Sequence, residues 1–261
     1  MSAVLAQGPH PGPLPQGEGD GRAPPLPLPA GEGLTYRGRR DRLEEYFDRT
    51  AVAAWARLTS DAPLGRIRAS VRAGRDAMRA TLLSWLPDDL TGRTVLDAGC
   101  GTGALAVEAA RRGAHVIAID LSPTLVRLAA ERAAGTAGPG TIDFRVGDML
   151  DPALGRFDHV VAMDSVIHYE LDDTLRVIAG LGAMARASVV FTYAPWTPML
   201  AVMHATGRLF PRADRAPAIV PHRPARMEHR LDRELGGPRR GRASRVSGGF
   251  YISQAQELIA R

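Results

Sequence analysis

The sequence predicts an α/β protein: a mostly parallel sheet wrapped by helices and completed by a C-terminal antiparallel hairpin. Three observations predict it. From about residue 90, short apolar runs rich in β-branched residues alternate with helical repeats, the rhythm of consecutive βαβ units. Four of these runs end in or just before an acid, namely Asp97, Asp120, Asp148 and Asp164. The first run also spills into Gly99-Cys-Gly-Thr-Gly103, a glycine turn at the point where strand should give way to helix.

The elements follow in chain order. Residues 1–36 are dominated by Pro and Gly and carry a crude repeat, Pro13-Leu-Pro-Gln-Gly-Glu-Gly19 and Pro27-Leu-Pro-Ala-Gly-Glu-Gly33. Such a stretch buries too little apolar surface to offset its ordering entropy, so it reads as a disordered tail. Residues 37–88 form a helical unit: apolar residues recur at helical spacing over 39–47 and 52–58, then over 63–85 through Ile67, Val71, Met78, Leu82 and Leu83, until Pro87 ends the pattern. Residues 89–261 form the main domain. Strands are expected over 93–97, 114–120, 141–146, 157–163 and 188–193, with helices over 103–112, 122–133 and 172–186 between them. After an apolar stretch at 198–207 and an arginine-rich segment (Arg208, Arg212, Arg215, Arg223, Arg226, Arg230), Arg245-Val-Ser-Gly-Gly-Phe-Tyr-Ile252 reads as strand, glycine turn and strand.

The glycine turn is the entrance to a nucleotide-type site. Gly99, Gly101 and Gly103 can take positive φ and bring bare backbone to a ligand. Gly99-x-Gly101-x-x-Ala104 also satisfies the dinucleotide fingerprint, which leaves a nicotinamide cofactor open on glycines alone. Asp97 argues for another ligand. A carboxylate two residues before the first glycine would repel a pyrophosphate and attract a cation, and S-adenosylmethionine carries an ammonium and a sulfonium but no phosphate. Asp120 ends the second strand about twenty residues on, where a carboxylate holds ribose hydroxyls. All four acids should meet on the carboxyl rim of the sheet, and burying them there without a cation would be costly.

Composition excludes several classes. A 45% hydrophobic content over 261 residues supports a real core, and no run approaches the ~18 apolar residues that would cross a bilayer. The N-terminus is not the apolar stretch of a signal peptide. Although the net charge is +5, every basic residue is Arg and none of the runs interleaves with aromatics, so nucleic-acid binding is not expected. A single cysteine, Cys100, allows no internal disulfide and fits a reducing compartment. No His pair has metal-ligand spacing, so no protein-bound metal is expected.

With Val95-Leu-Asp-Ala-Gly-Cys-Gly-Thr-Gly103, Asp120 and Gly147-Asp148-Met149 in place, the chain resembles the class I S-adenosylmethionine methyltransferases over about residues 90–195. The flanks are narrower in their likeness. Tyr46-Phe-Asp-Arg-Thr-Ala51, Phe157-Asp-His-Val-Val-Ala-Met-Asp-Ser-Val-Ile-His-Tyr169, Phe191-Thr-Tyr-Ala-Pro-Trp-Thr-Pro198, Met203-His-Ala-Thr-Gly-Arg-Leu-Phe-Pro211 and the ending from Arg245 resemble the magnesium-protoporphyrin IX O-methyltransferases of photosynthetic bacteria. Between 221 and 242 the match is looser.

That resemblance implies a Rossmann-like class I methyltransferase sheet with an N-terminal helical lid. It implies S-adenosylmethionine as methyl donor, with Asp97, Gly99, Gly101 and Gly103 at its methionine end, Asp120 at the ribose, Asp148 and Met149 at the adenine, and Asp164 on the same rim. The acceptor would be a propionate of Mg-protoporphyrin IX, giving the monomethyl ester on the route to bacteriochlorophyll. His168 would orient that carboxylate and Tyr46 would approach from the lid. Met199, Leu200, Val202 and Met203, with the arginines after them, suit a flat apolar ring bearing two carboxylates. The resemblance further implies delivery of the pigment by the porphyrin-binding subunit of magnesium chelatase, in the cytoplasm and peripherally at the inner membrane.

Overall fold

The structure, a computed structural model, describes residues 65–135, 138–197, 219–235 and 239–260, together with Gly38. Helix α1 (Arg66–Leu83) buries Gly74, Met78, Leu82 and Leu83. Ile67, expected on the same apolar stripe, is instead exposed. Gly74 takes over that face, because the ring of Tyr251 packs where a Cβ would stand, 2.5 Å from it.

The alternating region follows the predicted order: β1 (Thr94–Ala98), α2 (Ala104–Arg111), β2 (His115–Asp120), α3 (Pro123–Ala133), β3 (Thr141–Val146), β4 (Phe157–Ala162), α4 (Leu171–Met184) and β5 (Ala185–Tyr193). Local chemistry sets several boundaries. Ser122 caps α3 by accepting from the Leu125 N–H at 3.2 Å, and Pro123 fills its first position. Asp158 accepts from the backbone and hydroxyl of Thr94, which pins the starts of β1 and β4 together.

The tail differs from its sequence reading in two ways. The arginine-rich segment contains a helix, α5 (Pro224–Glu234), which buries Met227 and Leu231 four residues apart on one face. Its charge pattern hid this, since most of its positions are Arg, Glu, Asp or His. The hairpin is also longer than expected, running from β6 (Arg239–Gly248) to β7 (Tyr251–Ile259). Gly249, at φ 56°, supplies the positive φ that a two-residue hairpin turn requires.

The sheet order is β3-β2-β1-β4-β5-β7-β6. Strands β1 to β5 pair in parallel, while β7 pairs antiparallel with both β5 and β6. Alternate residues of each strand feed opposite cores. Val95, Val116, Val161, Val190 and Tyr251 join α1 and α2 on one side; Leu96, Ile119, Val160, Phe191 and Leu258 join α4 and α5 on the other. Chain order reverses between β1 and β4, so the crevice at the C-termini of these two strands is where a ligand belongs.

Candidate active site at the strand C-termini

The turn after β1 is folded onto the end of β2 by its own hydrogen bonds. The N–H groups of Gly99 and Cys100 donate to the Ile119 carbonyl at 2.8 and 3.0 Å. Asp120 then accepts from Gly101 N–H at 2.9 Å with one oxygen and from Ser122 N–H at 3.0 Å with the other. Gly99, Gly101 and Gly103 all have positive φ, at 81°, 53° and 77°. Two of the glycines also answer to packing inside the protein. A Cβ on Gly99 would lie 2.4 Å from the Ser165 Cβ, and one on Gly103 would lie 3.0 Å from Ala129 and Phe144. At these two positions the missing side chain makes room for neighbours in the fold.

Asp97 is 2% exposed. The backbone N–H of Ala106, in the first turn of α2, favours its charged form, while Oδ2 is buried with no hydrogen-bond partner. Burial, reinforced by the nearby charge of Asp120, pushes its pKa up to about 7. A lone oxygen of this kind fits a positively charged group. Burial likewise raises Asp120, and it drives the Cys100 thiol well above the usual thiol range, which removes it as a nucleophile.

At the end of β3, Asp148 Oδ1 accepts from Leu150 N–H at 2.9 Å and closes a short turn. Met149 is buried in the core that holds Ile119 and Leu96. The acid beyond β4 has a different environment from the one the sequence indicated. Asp164 meets the protein's own cation, Arg75 of α1, at 2.5 Å. It also accepts from Tyr251 Oη at 3.1 Å and Thr192 Oγ1 at 3.1 Å, while its N–H donates to Thr192 Oγ1 at 2.8 Å. Its charge is balanced from within the fold, so the four rim acids do not all await an external cation.

His168 is half-buried in the segment joining β4 to α4. The neighbouring Tyr169 is 1% exposed and sits in the core; its carbonyl accepts from His222 Nε2 at 3.1 Å and Thr174 Oγ1 at 3.2 Å. Burial holds the His222 pKa below the ordinary histidine value. Beside it Arg223 lies over the exposed ring of Trp196, 5.2 Å from the centroid. Arg230 is bonded to Asp172 and Glu234. Tyr46, Met199, Leu200, Val202, Met203, Arg208, Arg212 and Arg215 lie outside the described residues.

Sequence reasoning missed Arg75, Ser165, Thr192 and Tyr251. The bonds from Arg75 and Tyr251 to Asp164 span 89 and 87 residues, and no local pattern signals such a meeting. Among the described residues no group of His, Cys, Asp and Glu could hold a metal ion, and no helix is long and apolar enough to cross a membrane.

Comparisons with known proteins agree with this geometry. Residues 162–260 match the family described as magnesium-protoporphyrin IX methyltransferase C-terminus, and residues 95–187 match a methyltransferase domain. The magnesium-protoporphyrin O-methyltransferase of Rhodobacter capsulatus is 49% identical over 219 residues, covering 84% of this chain and 95% of that protein. A chloroplastic magnesium protoporphyrin IX methyltransferase of Arabidopsis thaliana is 30% identical, covering 85% and 72%. The crystal structure of the Synechocystis PCC 6803 magnesium protoporphyrin IX methyltransferase with bound S-adenosylhomocysteine superposes with a TM-score of 0.72 at 27% identity, covering 85% of this chain and 99% of that one.

Proposed function

Since this chain belongs to the magnesium-protoporphyrin O-methyltransferase family, we infer that it transfers a methyl group from S-adenosylmethionine to Mg-protoporphyrin IX. The extended likeness to the R. capsulatus enzyme carries this reading. The donor half also has support from this chain's own residues: the preformed glycine turn and the buried, unpartnered Asp97 Oδ2 fit a ligand bearing an ammonium.

Acceptor chemistry follows from the substrate. The oxygens of protoporphyrin IX are those of its two propionates, so O-methylation yields a carboxyl ester, here the monomethyl ester on the route to bacteriochlorophyll. When bound, the donor supplies an activated methyl on a sulfonium, which departs as a neutral thioether. A propionate with a pKa near ~4.5 is already ionised at neutral pH, so the protein needs no strong base. Its work is to align the carboxylate and exclude water.

Within that scheme Asp97, Gly99, Gly101 and Gly103 hold the methionine end of the donor. Asp120 serves the ribose with lone pairs beyond those given to Gly101 and Ser122, and Asp148 and Met149 border the adenine. Asp164 acts on this rim through its own ion pair. His168 orients the propionate, and Tyr46 joins it as a second substrate-side residue. Arg223, set over Trp196, supports the reading that an arginine of the tail pairs with a second propionate. An apolar, poorly soluble pigment favours direct delivery from the porphyrin-binding subunit of magnesium chelatase, in the cytoplasm at the inner membrane surface.

The test is incubation of the purified protein with labelled S-adenosylmethionine and Mg-protoporphyrin IX. A labelled monomethyl ester is expected. Methylation of a quinone with none of the porphyrin would overturn the assignment.

A further inference from the structure

We propose that Ser165 is a binding residue for the amino-acid end of the methyl donor, held in place by the Asp164–Arg75 pair. The inference rests on the reading that the site takes S-adenosylmethionine. Its starting point is that two buried side-chain oxygens among the described residues have no hydrogen-bond partner, Asp97 Oδ2 and Ser165 Oγ. Native folds leave few such groups, because a buried hydroxyl gives up its water and must regain a partner.

The two orphans belong to one place. Asp97 lies on β1, directly beside Val161 of β4 in the parallel register, and Ser165 follows β4. Gly99, two residues beyond Asp97, touches Ser165: the position of a Gly99 Cβ is 2.4 Å from the Ser165 Cβ and 3.3 Å from its Oγ. The hydroxyl therefore stands against the glycine turn, at the crevice where the chain order reverses. The pair also has complementary chemistry. A carboxylate only accepts, whereas a hydroxyl both accepts and donates. Together they suit a zwitterion, whose ammonium needs acceptors and whose carboxylate needs a donor, which is the α-amino-acid end of the donor molecule.

The path of the chain into Ser165 is built with unusual care. Asp164 has φ 54° and, among the described residues, is the non-glycine residue in the left-handed region. Such a conformation persists where its surroundings over-determine it. Here Thr192 takes the Asp164 N–H, and Arg75, Tyr251 and Thr192 take its carboxylate. Arg75 and Asp164 are positioning residues: they fix the turn that sets Ser165 over Gly99.

The test compares two ligands by isothermal titration calorimetry of the full chain. S-adenosylhomocysteine has the amino-acid end; 5′-methylthioadenosine keeps the adenosine and thioether without it. Ser165→Ala should weaken S-adenosylhomocysteine roughly tenfold and leave methylthioadenosine unchanged. Arg75→Gln should shift the two ligands in the same selective sense. Equal weakening of both ligands in Ser165→Ala would overturn the proposal in favour of packing against Gly99, and so would no weakening of either. If the unaltered protein failed to bind S-adenosylhomocysteine, the donor reading itself would fall, an outcome distinct from a silent Ser165→Ala.

Discussion

Replacing Asp97 by Asn tests the central electrostatic feature of the site. In the folded chain without ligand its pKa is about 7, against 3.8 for an unperturbed aspartate, because the group is buried with one oxygen unpaired and Asp120 close by. The folded state therefore holds this proton more tightly than the unfolded state. Between pH 4 and 7 the unfolded chain loses the proton first, so stability falls as pH rises through that window and levels off above it. A shift of about 3 units corresponds to roughly 4 kcal/mol across the window. Asn carries no charge at any pH, so the variant should match the parent near pH 4 and exceed it by up to about 4 kcal/mol at pH 8. Urea unfolding at pH 4, 6 and 8 measures this.

Binding should move in the opposite direction. A ligand ammonium needs the ionised form, whose fraction rises from about a tenth at pH 6 to about nine tenths at pH 8. The affinity of the parent for S-adenosylhomocysteine should thus rise roughly tenfold over that range, with net proton release near pH 7 in calorimetry. The Asn variant should bind more weakly and without the slope. An identical slope in both proteins, or a parent affinity independent of pH, would refute the assignment of the cation site to Asp97.

Three further outcomes are expected. Arg75→Ala leaves the Asp164 carboxylate, 4% exposed, without its counter-charge; the loss should be about 3–5 kcal/mol, and an unchanged urea midpoint would show that Tyr251 and Thr192 suffice. Gly74→Ala gains about 1 kcal/mol of helix propensity but sets a methyl 2.5 Å from the Tyr251 ring, so a net loss of about 1–2 kcal/mol should appear as a lower thermal midpoint; a higher midpoint would mean that the ring moves aside freely. His168→Ala should lower the turnover of porphyrin methylation at least tenfold while S-adenosylhomocysteine affinity stays level; unaltered turnover would return His168 to a packing role.

The centre of the sheet was legible because β1, β4 and most of β5 are buried on both faces and read as apolar runs bounded by turns, and because Asp97 and Asp120 fall where β1 and β2 stop. Local signals also placed Ser122-Pro123 at the head of α3 and the glycines at the hairpin turn. What escaped was of two kinds. Helix α5 buries only Met227 and Leu231, a stripe too thin to stand out among charges that Arg240 completes by reaching Glu228 and Asp232. The partners of Asp164 escaped because they are set by the third dimension. Nothing near Met163-Asp-Ser indicates that Arg75 and Tyr251 will arrive from opposite ends of the chain. An acid at a strand end points in sequence to a ligand, whereas here the fold itself also supplies a cation.

That meeting also fixes when the site can exist. Tyr251 both closes on Asp164 and fills the face of Gly74, and β7, which carries it, inserts between β5 and β6. A ribosome making this protein releases β1 to β5 well before β7, so during synthesis the β4 rim waits, with α1 lacking its aromatic seat and Asp164 lacking its phenol. The rim around Asp164 is complete only once β7 has been made, and chains cut short before β7 would carry every glycine of the turn without the Tyr251 contact to Asp164.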